Sequence, residues 1–90
     1  MSNVIYKYTL EIIPHQEIEI PGFEHILDIA EQGKDICMWV VCDPEKEHIK
    51  VPIHIAGTGQ EPPFEYPRHH IKTVVMQSSP FVWHVYFGDW

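Results

Sequence analysis

The sequence predicts an all-β protein, a small single-domain sandwich or partly open barrel of about seven strands. Three observations carry this expectation. Polar and apolar residues alternate with period two in short runs, the pattern of strands that bury one face. Breaks rich in proline, glycine, serine and aspartate separate those runs at regular spacing. One run, Ile36–Cys42 (ICMWVVC), is apolar on both faces, which marks a central strand covered from both sides or by a partner chain.

The first strand is expected at about Val4–Ile13. Tyr6, Tyr8, Leu10 and Ile12 share one face, Lys7, Thr9 and Glu11 the other, and Pro14-His15 ends the run. The second strand, Gln16–Ile20, turns Ile18 and Ile20 inward and Glu17 and Glu19 outward. Pro21-Gly22 is a turn, with proline pre-setting φ and glycine accepting positive φ. The third strand is about His25–Glu31. The stretch Phe23–Gln32 also has helical spacing at Phe23, Ile26, Leu27 and Ala30 and stops at a glycine. One short helix there, and with it an α+β fold, is the competing reading. Gly33-Lys34 is a hairpin turn into the fourth strand, Ile36–Cys42, which Asp43-Pro44 stops.

The fifth strand, His48–Ala56, has the clearest alternation. Ile49, Val51, Ile53 and Ile55 point inward; His48, Lys50, Pro52 and His54 point outward. Pro52 has no N–H to give a neighbour, so this strand is expected at a sheet edge or with a bulge. A long loop, Gly57–Pro67, follows. The sixth strand is about His70–Gln77, and Ser78-Ser79-Pro80 turns the chain into the seventh, Phe81–Phe87. There Phe81, Trp83, Val85 and Phe87 share one face and Val82, His84 and Tyr86 the other.

Ninety residues suit one domain with a modest core, and an apolar fraction of 44% is enough to build it. Oligomerisation would bury more surface, and a homo-oligomer is expected from the two-faced fourth strand and from Trp83, Phe87 and Trp90. With 13 acidic and 6 basic residues the formal charge is -7. That balance disfavours a long nucleic acid, which needs a basic stripe to displace counterions. It equally disfavours an anionic membrane surface. A basic protein partner, or solubility alone, suits it better. The first residues show no charged head followed by an apolar run, and no run approaches the ~20 residues that span a bilayer. A cytoplasmic location is therefore expected. Cys37 and Cys42 point to opposite faces of one strand, roughly 16 Å apart at strand rise. A disulfide needs Cα atoms within about 7 Å, so both are expected as reduced thiols.

The loop after the fifth strand holds the candidate binding residues. Gly57-Thr58-Gly59 can present backbone N–H groups to a phosphate, as glycine-rich turns do. Neither GxGxxG nor GK[ST] occurs, and the plain alternative is a tight strand exit. Arg68, the only arginine, follows Phe64 and Tyr66 closely. An arginine with aromatic rings suits a nucleotide, a guanidinium fork for phosphate and rings for the base. The alternative is that Phe64 and Tyr66 cap the core while Arg68 stands in water. The seven histidines raise a metal hypothesis. His48 and His54 share a face but lie roughly 20 Å apart on an extended strand. His84 joins them only if the fifth and seventh strands pair. No HxH, HExxH or zinc-spaced Cys/His pair occurs, so neither a metal nor another cofactor is expected. Cys37 and Cys42 lie in the most apolar strand, where burial makes a thiol inert. The pairs Glu17/Glu19 and Glu45/Glu47 read as solvated faces and turns, and no enzyme is expected.

At IYKYTLEI (Ile5–Ile12), CMWVVCDP (Cys37–Pro44), HIAGTG (His54–Gly59) and FVWHVY (Phe81–Tyr86) the chain resembles a family of small β-rich proteins of tailed phages and prophages. The likeness runs from about Val4 to Tyr86 and rests on the order and spacing of the motifs. The chain departs from the family at its acidic, histidine-rich loops and at Phe87-Gly88-Asp89-Trp90. The family has no settled activity, but small accessory phage genes often encode proteins that blunt host defence. The resemblance thus implies a non-enzymatic protein in the cytoplasm of an infected bacterial host, sequestering a small nucleotide-derived immune signal. In that role Gly57, Thr58 and Gly59 would hold phosphate, Arg68 and Lys72 would neutralise its charge, and Phe64 and Tyr66 would stack on a ring. The alternatives are an acidic protein–protein inhibitor of a host defence protein, or a virion or assembly accessory subunit.

Overall fold

The alternating runs pair into two antiparallel sheets, described in a computed structural model for residues 2–63 and 69–88. The strands are β1 (Val4–Leu10), β2 (His15–Pro21), β3 (His25–Gln32), β4 (Asp35–Cys42), β5 (His48–Gly57), β6 (His70–Val75) and β7 (Val82–Phe87). One sheet has the order β1-β4-β3 and the other β2-β5-β7-β6. The result is an all-β fold consistent with a small sandwich. The described residues contain no helix, so the stretch from Phe23 enters a strand and the helical spacing there is coincidental. β1 stops at Leu10, three residues before the expected end. Ile12 and Ile13 lie in a bend and are exposed, because the chain must leave one sheet to enter the other.

Period-two burial builds the core. Leu10, Ile20, Ile29, Met38, Val40, Val51, Ile53 and Val85 all sit between the sheets, buried. β4 is the middle strand of its sheet, as its sequence demands. Its outer face is partly roofed from within the chain. Lys7 donates to Gln32 Oε1 at 2.5 Å, so the lysine stem runs across β4 from β1 to β3. Cys37 lies between the two rows that this stem joins, and it is buried.

β5 is not an edge strand. It lies between β2 and β7 with unbroken register on both sides, which corrects the expectation drawn from Pro52. The proline is tolerated because of where β7 ends. Pro52 faces Glu17 of β2, and its carbonyl accepts from Gly88 N–H at 3.4 Å, just past the end of β7. In an extended strand a residue's N and C=O point to the same side. The missing N–H therefore faces the side on which the ladder is running out.

β3 and β6 are the edges of the two sheets that pack against each other. Each carries a bulge, at Leu27 and at Ile71, and the next residues, Asp28 and Lys72, form an ion pair at 2.6 Å. A bulge re-aims the side chains beside it, here toward the opposite edge. Glu31 adds a second tie by accepting from the N–H groups of Gln77 and Ser78 and from the Ser78 hydroxyl. The Pro21-Gly22 and Asp43-Pro44 turns interlock at one end. Gly22 N–H donates to Glu47 O at 2.8 Å, Asp43 N–H donates to Gly22 O at 3.1 Å, and the buried Asp43 carboxylate caps Glu45 N–H at 3.0 Å.

Candidate ligand-binding site

β5 ends in a four-residue turn at the opposite end of the molecule. Gln60 N–H donates to Gly57 O at 2.9 Å, and Gly59 takes φ +97, the positive value that the third turn position requires. The turn consumes its own donors. Gly57 N–H goes to Gln60 Oε1 at 2.7 Å and Thr58 N–H to Val82 O at 3.3 Å. Gly57, Thr58 and Gly59 thus stand together as expected. Two of their three N–H groups, however, already have partners within the chain.

A cavity of about 440 Å³ opens beside this turn, lined by Gly57, Thr58, Gln60 and Pro80–Trp83. That volume falls in the range of small-molecule sites, ~300–1,000 Å³. Its walls are apolar on the β7 side. The rings of Phe81, just before β7, and Trp83, within it, lie with centroids 5.8 Å apart, and Phe81 is 59% exposed. Gly57 leaves room for the indole, since a Cβ there would sit 3.0 Å from Trp83 Cζ3.

On the other side of the turn is the outer face of the four-stranded sheet. Thr58 Oγ1 is hydrogen-bonded to His84 Nε2 at 2.9 Å, His84 Nδ1 to Thr73 Oγ1 at 3.0 Å, and Thr73 Oγ1 to His70 Nε2 at 3.0 Å. The Thr73 hydroxyl, one donor with two acceptor lone pairs, bridges the two imidazoles. A second row crosses all four strands. His15 faces His54, His54 faces Tyr86, and Tyr86 faces His70. The Tyr86 ring meets His54 and His70 edge-on at 6.1 and 5.4 Å. Burial, then the neighbouring His15, pulls the His54 pKa below its ordinary value. A second hollow of about 310 Å³ lies here, with Pro62, His84 and Tyr86 opposite the turn.

β5 and β7 do pair, so His84 joins the histidine-bearing face. Among the described residues no group of three or more His, Cys, Asp or Glu side chains is placed to hold a metal ion. Lys72 is not with the turn. It reaches across the closed edge to Asp28, and its neighbour Thr73 is the β6 residue that meets His84. The ammonium holds the Asp28 carboxyl below the usual carboxylate range. Phe64, Tyr66 and Arg68 lie outside the described residues. Cys37 and Cys42 are free and buried, and burial pushes the Cys42 thiol up, away from thiolate chemistry. Sequence reasoning placed Phe81 and Trp83 on one face of their strand. It did not connect them to Gly57, because that proximity arises only when β5 and β7 pair with Gly57 opposite Trp83.

The chain belongs to the family described as a domain of unknown function, DUF7352, which matches residues 1–89. No curated protein and no solved structure matches the chain.

Proposed function

We propose that this protein is a non-enzymatic binding module that captures a small planar, nucleotide-type ligand at the Gly57–Gln60 turn. The observation that carries the reading is the coincidence of that turn with a 440 Å³ cavity walled by Phe81 and Trp83. Exposed rings accept a base by stacking, worth ~1–3 kcal/mol per base. Gln60, whose Oε1 accepts from Gly57 N–H, turns its side-chain NH2 to a polar contact at the rim. Of the cations expected at the phosphate, Lys72 is engaged by Asp28. In the phage setting implied by sequence resemblance, such a protein acts by sequestration, holding a host immune signal without turning it over.

The test is native mass spectrometry and calorimetry with cyclic nucleotides and ADP-ribose derivatives, on the wild type and on Phe81→Ala. Phe81 is 59% exposed, so the variant keeps its fold while losing stacking area. The expected result is a defined ligand mass on the wild type, released intact, and binding weakened at least tenfold in the variant. Equal affinity of the two proteins removes the site from Phe81. A released ligand of altered mass makes the protein an enzyme.

A second reading draws on the other end of the molecule. Glu24, Glu45 and Glu47 rim a groove of about 590 Å³ over Phe23 and Ile49. With Lys46 also in the lining, three carboxylates outnumber one ammonium around an apolar floor, an excess that suits a basic partner of the kind an acidic protein–protein inhibitor engages. Binding by that route would weaken steeply with salt, whereas stacking at Phe81 would not.

A further inference from the structure

We propose that β1 is a dimerisation edge, across which a second copy of this chain adds its own β1 to make one continuous six-stranded sheet. The four sheet edges are not treated alike. β3 and β6 are bulged and packed against each other. β2 carries outward Glu17 and Glu19 and ends in Pro21. Bulges, charges and proline are the devices by which proteins keep free edges from pairing. β1 has none of the three on its first residues. Its register with β4 is unbroken from Val4 to Leu10, and it contains no proline and no carboxylate. Val4, Ile5 and Tyr6 are 36%, 62% and 40% exposed, so the edge is apolar on both faces. Its single charge, Lys7, is drawn across the sheet to Gln32.

Self-complementarity selects a second copy as the occupant, and charge permits it at this edge. Two chains of formal charge -7 repel each other over most of their surface. Residues 1–10 hold no acidic side chain, so pairing there keeps the carboxylates of the two copies apart. Self-pairing also has one favourable register. A two-fold axis normal to the sheet pairs residues that point to the same face, so it must pass midway between a residue and its own copy. Centred on Lys7 it opposes two ammonium groups. Centred on Tyr6 it sets Lys7 against Ile5. Centred on Ile5 it places Ile5 on Ile5 on the outer face and Val4 on Tyr6 on the inner face, with Lys7 opposite Asn3. That register covers the most exposed apolar side chain of the edge and brings no like charges together. The ligand site lies at the β5–β7 end and takes no part in this contact.

Sedimentation equilibrium on the wild type and on Ile5→Lys tests it. The wild type is expected at twice the 10.6 kDa of one chain and the variant at that single mass, with identical far-ultraviolet circular dichroism. Ile5→Cys is expected to cross-link into a disulfide dimer on mild oxidation. Side chains directly opposite each other in an antiparallel pair have Cβ atoms within about 5.5 Å, and the native thiols are buried. A wild type that stays monomeric at all concentrations overturns the proposal and leaves the edge to a strand from another protein. A dimer that survives Ile5→Lys places the interface elsewhere and also overturns it. A dimer that Ile5→Lys dissolves but Ile5→Cys fails to cross-link overturns the two-fold at Ile5.

Discussion

Each end of β5 meets a glycine-containing turn, Pro21-Gly22 packed beside its start and Gly57–Gln60 at its finish, and the two are used differently. At the start of the strand, Gly22 is packed so tightly that an added Cβ would lie 2.5 Å from the Asp43 carbonyl oxygen and 2.8 Å from its Cβ. At the finish, a Cβ on Gly59 would meet nothing within 4 Å, and a cavity opens beside the turn. Both glycines hold positive φ, +53 and +97. One turn is a clasp between two connections, and the other is a rim around empty space. A glycine-rich motif therefore says where the chain turns, and only its surroundings say whether the turn has room for a ligand.

The sharpest way to break the contrast is to add a methyl group to each glycine. Gly22→Ala combines backbone strain with a clash against main chain that cannot move aside, and is expected to cost roughly 3 kcal/mol. Gly59→Ala meets no neighbour and is expected to cost about 1 kcal/mol, from the positive φ alone. Urea denaturation midpoints at constant slope give both values. Equal losses would mean that the clasp relaxes freely and is no clasp. Between these falls Asp43→Ala, which removes the buried carboxylate that caps Glu45 N–H and is expected to cost about 1–2 kcal/mol. Asp43→Asn keeps an acceptor oxygen in place and should recover most of that loss. Failure of asparagine to do so would assign the role of Asp43 to its charge.

Most of the fold was legible because burial in a two-layer sheet leaves a period-two trace. Ile18 and Ile20, Val51, Ile53 and Ile55, and Val85 fell on the faces their alternation assigns, whereas Ile49, expected inward, stands 45% exposed at the start of β5. Pro52 misled because the rule about edge strands concerns a direction, and sequence does not reveal which neighbour runs out first. The ion pair of Lys72 with Asp28 was also out of reach. It depends on two bulges 44 residues apart that happen to face each other. The candidate site was half visible. Gly57–Gly59 announced a turn, but its pairing with Phe81 and Trp83 depends on the β5–β7 register. Two of the short sequence motifs divide in the same way. The DP at Asp43-Pro44 belongs to the clasp, while the GTG borders the cavity.

The smallest expected effect distinguishes the open histidine face from the closed β3–β6 edge by pH. His54 has its pKa lowered by burial and by His15, so the unfolded chain binds more protons than the folded one just below the ordinary histidine value of about 6.5. Stability is then complete above that value and declines as the pH falls toward the folded pKa. Asp28 and Glu31 are also lowered, Asp28 chiefly by its bond to Lys72 and Glu31 chiefly by the Ser78 hydroxyl. Their contribution is present above the ordinary carboxylate range and is lost only as the pH falls through their folded values. Acid should therefore weaken the protein in two separate steps, the face first and the edge second. His54→Gln should flatten the upper step and leave the lower one, and Glu31→Gln should do the reverse. Thermal midpoints measured across the acid range give the slopes. An upper step that persists in His54→Gln would show that His54 does not carry it.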